Sequence, residues 1–116
     1  MVSSMDKRVY ELHAEICQTF SHPKRLEILD LLRDGEKSVN ELVQLAGINQ
    51  SNLSQHLAIL RGKNIVQTRR DGVNIYYSIA NSKIIKAFDI MREILYEQLA
   101  LNEKLAKELE VGGLAR

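Results

Sequence analysis

SVNELVQLAGINQSNLSQHLAILR, residues 38–61, decides the fold. Ser38-Val39-Asn40-Glu41 has the Ser-x-x-Glu form of a capping box, two side chains that satisfy each other's backbone N–H groups at a helix start. It opens a short helix through Leu42, Val43 and Leu45, which Gly47 stops. Ile48 bridges to Asn49, a second cap, and a helix follows from Gln50 to about Arg61. Leu53, Leu57 and Leu60 fall at i, i+4 and i+7 of that helix and define one buried face. The remaining surface is Gln50, Ser51, Asn52, Ser54, Gln55, His56 and Arg61, uncharged at its N-terminal end and rich in groups that both donate and accept hydrogen bonds.

Outward from this pair, Lys7 to Phe20 predicts a helix with Val9, Leu12, Ile16 and Phe20 at helical spacing. Ser21-His22-Pro23 breaks it and starts another, with Pro23 at the first helical position. Leu26, Leu29, Leu31 and Leu32 follow, and Asp34-Gly35 suits a left-handed helix end. After Gly62 the period changes. Ile65–Arg69 and Asn74–Ile79 are strand-like, and Asp71-Gly72 between them is a hairpin signal. Tyr76 and Tyr77 then point to opposite faces, one to the core and the other to DNA or a partner chain.

Asn81 suits the cap of a last helix over residues 82–110, with Ile84, Phe88, Met91 and Leu95 in a stripe joined by Ile85, Ile94, Leu101, Leu105 and Leu109. Such a helix is roughly 40 Å long. A domain of this size cannot cover it alone, so part of the stripe needs another chain. Gly112–Arg116 reads as a frayed tail.

The expectation is one mainly α domain over 1–116 with a small β-hairpin: a winged helix-turn-helix of five helices. Residues 38–61 form the helix-turn-helix, 65–79 the wing, and 7–20 and 82–110 the helices of a homodimer interface.

Composition narrows the classes. With 45% apolar and 27% charged residues over 116 positions, the chain suits one soluble globular domain. No apolar run approaches a membrane span, and Met1–Arg8 lacks the apolar core of a secretory signal. Cys17 is the one cysteine, so no internal disulfide forms, which suits the cytoplasm. No Gly-rich phosphate loop, Ser-His-Asp set or paired carboxylates mark an enzyme, and no cofactor is implied. Net charge is +1, but residues 49–86 sum to +5 while the segments on either side each sum to −2. That field draws a polyanion to the middle of the chain.

The arrangement suits double-stranded DNA. A helix fits the major groove, where its N-terminal residues reach base edges. Asn49, Gln50, Ser51, Asn52, Ser54, Gln55, His56 and Arg61 are the candidate contacts on the recognition helix, His56 alternatively being a helix-packing residue. Lys63, Arg69 and Arg70 are the candidates on the wing, against the sugar–phosphate backbone or in the minor groove. A twofold pair of such helices calls for an inverted-repeat operator with half-sites about 10 bp apart or a multiple of that. The competing class is a winged-helix interaction module without DNA, which would place apolar or acidic residues on the recognition face.

Three segments, from Cys17 to Ile79, resemble the ArsR/SmtB-type repressor family. Phe20-Ser21-His22-Pro23-Lys24-Arg25-Leu26-Glu27-Ile28-Leu29 is similar to its "LSDPTRLxIL" opening. Asn49 to Leu57, with Leu60-Arg61, is similar to its "SQSxVSQHLxxL" recognition helix. Arg69-Arg70-Asp71-Gly72 with Tyr76-Tyr77 is similar to its "RREGRxxYY" wing. The resemblance implies a dimer joined through first and last helices, and operator binding relieved by a signal.

The resemblance also implies two places for metal. One is a Cys-x-Cys-like site before the recognition helix, where this chain has Ser38 and Asn40. The other is a histidine-containing site in the final helix, which has no histidine here. Neither can be assembled, so no metal is expected at either. His22 stands where the family has Asp, which removes a carboxylate cap that Ser21 could replace. His13 and Cys17, four apart on one helix face, remain as a possible sensor. Cys17 reads as a small buried apolar residue, as a redox-responsive thiol, or, with His13 and His22 from two protomers, as a metal ligand. No small-molecule or redox inducer is identified by the residues.

Overall fold

Apolar spacing and caps place the elements. The computed structural model describes residues 6–111, and the chain divides into two units, Met1–Ser82 and Lys83–Arg116. The first contains α1 (Arg8–Phe20), α2 (Pro23–Leu31), β1 (Lys37–Ser38), α3 (Val39–Ala46), α4 (Gln50–Gly62), β2 (Val66–Asp71) and β3 (Asn74–Ile79). The second contains α5 (Lys83–Ala100) and α6 (Glu103–Val111). The tail from Gly112 and the side chain of Leu105 lie outside the described residues.

Among the described residues there are six helices, where five were expected. The helix expected over 82–110 closes at Ala100. Leu101 N–H donates to Gln98 O at 3.2 Å and Asn102 N–H to Leu99 O at 2.9 Å. Such i→i+3 bonds tighten the final turn and let the chain leave the helix. α2 also stops early, at Leu31 and short of Gly35. Its cap is His22, whose Nδ1 accepts the Lys24 backbone N–H at 3.1 Å. Ser21 does not replace the lost carboxylate; its hydroxyl donates to Cys17 O at 2.9 Å.

The wing is more than a hairpin. β2 pairs with β3 from Val66↔Ile79 to Asp71↔Asn74, and β1 adds Lys37↔Tyr77 and Ser38↔Tyr76 on the other side of β3. The result is a three-stranded antiparallel sheet in the order β1-β3-β2. Gly72, first of the two turn residues, has φ +63°, which primed hairpin turns require and glycine supplies without strain. α4 runs on through Gly62. Its end is made by Asn64 at φ +59°, with Asn64 N–H on Arg61 O and Ile65 N–H on Leu60 O, the bonds of a Schellman close.

The buried apolar residues run from Ile28 and Leu29 through Leu42, Leu53, Leu57 and Leu60 to Ile65 and Val66. Burying each leucine contributes roughly 2 kcal/mol, which anchors α4 by one face and leaves its opposite face to solvent. α1 buries only Thr19. Leu12 and Ile16, two of the apolar residues at helical spacing, are 60% and 45% exposed, and Cys17, one reading of which was a small buried residue, is exposed as well. On α5 no residue is fully buried, and Ile90, Met91, Ile94 and Leu95 are exposed.

Candidate nucleic-acid interface

The two caps expected of the helix-turn-helix form. Ser38 Oγ accepts the Glu41 N–H at 3.1 Å, and Glu41 Oε1 accepts the Ser38 N–H at 3.0 Å. Those bonds stabilise the charged form of Glu41 and hold its carboxyl below the usual range. Gly47 closes α3 at φ +66°, with its N–H on Val43 O at 3.0 Å. Asn49 Oδ1 then accepts the Asn52 N–H at 2.8 Å and starts α4. No acidic side chain lies in the first turn of α4. The positive end of the helix dipole is therefore open to an anion.

Gln50, Ser51, Ser54, Gln55 and Ala58 line one shallow, open depression on α4. Four of the expected contacts thus come together as a polar, uncharged surface. Ala58 was missed; it is the small residue at the C-terminal end of that lining. Asn49 shares the helix start, but its carbonyl oxygen is committed to the cap and only its amide group is free to bond outward. Asn52 is exposed but outside the depression. Arg61 and Lys63 lie at the far end of α4, about 16 and 20 Å from Gln50 at 1.5 Å per residue. Lys63 faces Glu15 at 3.9 Å.

His56 is not part of the depression. Its ring meets His22 at a centroid distance of 4.6 Å, and its Nδ1 is buried with no hydrogen-bond partner among the described residues. Burial pushes its pKa down, and the adjacent His22, Arg25 and Lys24 act in the same direction. The packing alternative therefore describes its surroundings. Lys24 and Arg25 are helix ties that the sequence reading did not find. Lys24 Nζ donates to Ala46 O at 2.7 Å and Arg25 Nε to Thr19 O at 2.8 Å, satisfying carbonyls at the ends of α3 and α1.

On the wing the two arginines differ. Arg70 is exposed on β2. Arg69 lies over the Tyr76 ring, 4.6 Å from its centroid, and forms an ion pair with Glu36. That pair holds the Glu36 carboxyl below its ordinary range and raises the Arg69 guanidinium. Tyr76 and Tyr77 are both half-buried, so neither is a fully buried core residue. His13 and Cys17 are both exposed on α1.

Residues 22–68 match the model of a family described as bacterial regulatory protein, arsR family. The chain is 39% identical over 108 residues to an HTH-type transcriptional regulator of Mycobacterium tuberculosis, covering 92% of this chain and 95% of that one. It is 40% identical over 94 residues to the biofilm growth-associated repressor of Xylella fastidiosa, covering 81% and 82%. A solution structure of a homodimeric winged helix-turn-helix DNA-binding domain from Mycobacterium bovis is similar at a TM-score of 0.72 and 30% identity, covering 85% of this chain and 94% of that one.

Proposed function

The chain belongs to the arsR family of bacterial regulatory proteins, and from that premise we propose that it is a repressor binding an inverted-repeat operator as a homodimer. It is a DNA-binding transcriptional regulator, of a class that is not enzymatic. The observation that carries the finer reading is the open side of α4, where Gln50, Ser51, Ser54 and Gln55 stand together at a capped helix start without an acidic neighbour. Glutamine pairs with adenine edges in two bonds, and serine suits either base type. Arg70 supplies phosphate contact from the wing. An interaction module would need apolar or acidic groups on this side of α4.

The dimer reading draws on the homodimer described for the Mycobacterium bovis relative and on the exposed apolar faces of α1 and α5. The action is assigned to the cytoplasm, where bacterial DNA lies; no helix among the described residues is long and apolar enough to cross a membrane. Regulation bypasses the family's two usual metal places, since Ser38 and Asn40 offer no thiolate and α5 no histidine.

Selection of bound duplexes from a random pool, run with a chelator and with added zinc, tests this. An imperfect inverted repeat with half-site centres about 10 bp apart, or a multiple of that, and the same in both arms, is expected. Enrichment of a single asymmetric half-site, or of nothing, overturns the dimeric operator reading; enrichment in one arm only overturns the metal-independent one.

A further inference from the structure

Arg69 pairs with Tyr76 in the β2–β3 ladder, and Tyr76 with Ser38 in the β1–β3 ladder, so one row of side chains crosses all three strands. Glu36 lies two residues before Ser38. Arg69 crosses the Tyr76 ring to reach it, with Nε 3.0 Å and 3.2 Å from the two carboxylate oxygens and Nη2 bonded to one of them. Arg70 is the next residue along β2 and belongs to the opposite face. All three bonds of Arg69 to Glu36 are exposed. A guanidinium meets a phosphodiester through the same planar fork.

We propose that Glu36 is an internal stand-in for a backbone phosphate: it occupies Arg69 in the free protein and competes with the duplex for it. The inference rests on the DNA-binding reading above. An exposed ion pair is weak in water, so a phosphate can displace Glu36, but at the cost of the pair and of leaving a carboxylate beside the duplex. Phosphate contacts carry no base information. What Glu36 withholds is therefore affinity that every sequence would share.

The test measures random-duplex affinity of the full chain against salt, for the wild type, Glu36→Gln, Arg69→Ala, Arg70→Ala and the Glu36→Gln/Arg69→Ala double variant. Glutamine keeps the shape of Glu36 and removes its charge. Glu36→Gln is expected to bind more tightly and to steepen the log–log salt slope by about 0.9, an extra loss of about 3.5-fold in affinity between 50 and 200 mM salt. Adding Arg69→Ala should abolish that gain. In the wild-type background Arg69→Ala should flatten the slope less than Arg70→Ala. A Glu36→Gln protein with unchanged affinity and slope overturns the proposal. So does weaker binding, which would make Glu36 a clasp that positions the wing. Salt-dependent binding by the wild type in the same series upholds the DNA-binding reading separately; its absence overturns both.

Discussion

At the residue scale, His56 shows how a side chain on a well-read helix can have a neighbour that the helix's own sequence does not reveal. Leu53, Leu57 and Leu60 lie at a spacing that only burial explains, and all three are fully buried. Position 56 falls between that face and the open one, so its neighbour was not legible: His22, from the cap of α2, is 34 positions earlier. Because burial and the nearby His22, Arg25 and Lys24 depress the His56 pKa, the folded protein binds this proton less readily than the unfolded chain. Stability should be complete above the ordinary histidine value of about 6.5 and fall as the pH drops through it towards the folded value. Urea midpoints at pH 7.5 and 5.5 check this, with His56→Gln expected to lose less on acidification than the wild type. An equal loss in both would mean the proton is taken up elsewhere. The pairing of Arg69 with Glu36 was equally hidden, because nothing local announces a partner 33 residues away.

At the element scale, the caps were the most legible feature. The Ser38–Glu41 box and the Asn49 cap each follow from residue type and position alone, and each forms the bond it names. Helix ends without such chemistry were not legible. Asn64, rather than Gly62, takes the left-handed conformation after α4, because the bonds from Asn64 and Ile65 to the last turn fix the ending. β1 is too short to show a period, and only its pairing with Tyr76 and Tyr77 reveals it. The turn between α3 and α4 can be tested on its own. A Cβ at Gly47 would meet nothing within 4 Å, but φ there is +66°. Gly47→Ala should therefore cost about 1–2 kcal/mol through backbone strain alone, seen as a lower denaturation midpoint. Gly47→Asn should cost less, since asparagine tolerates this region. Equal losses for the two would point to something other than φ.

At the scale of the whole molecule, the overlong apolar stripe was legible as a need for a second chain, while its interruption at Leu101–Asn102 was not, since both residues suit a helix well enough. Placing a charge on either exposed apolar face tests the need: in sedimentation the wild type is expected to be a dimer, and Ile16→Glu on α1 or Ile94→Glu on α5 should give a monomer. Operator affinity should drop by about 100-fold or more, with the helical content of the first unit kept. A dimer that survives both changes would place the contact elsewhere. The buried core running from Ile28 to Val66 has a further consequence. In the proposed dimer each protomer would carry its own reading head, with that core inside the first unit. The terminal helices then contribute avidity instead of base contacts. Once one head is seated, its twin samples the second half-site at an effective concentration near millimolar, as short tethers give. A signal that slackened the tether would release the operator with α4 left untouched.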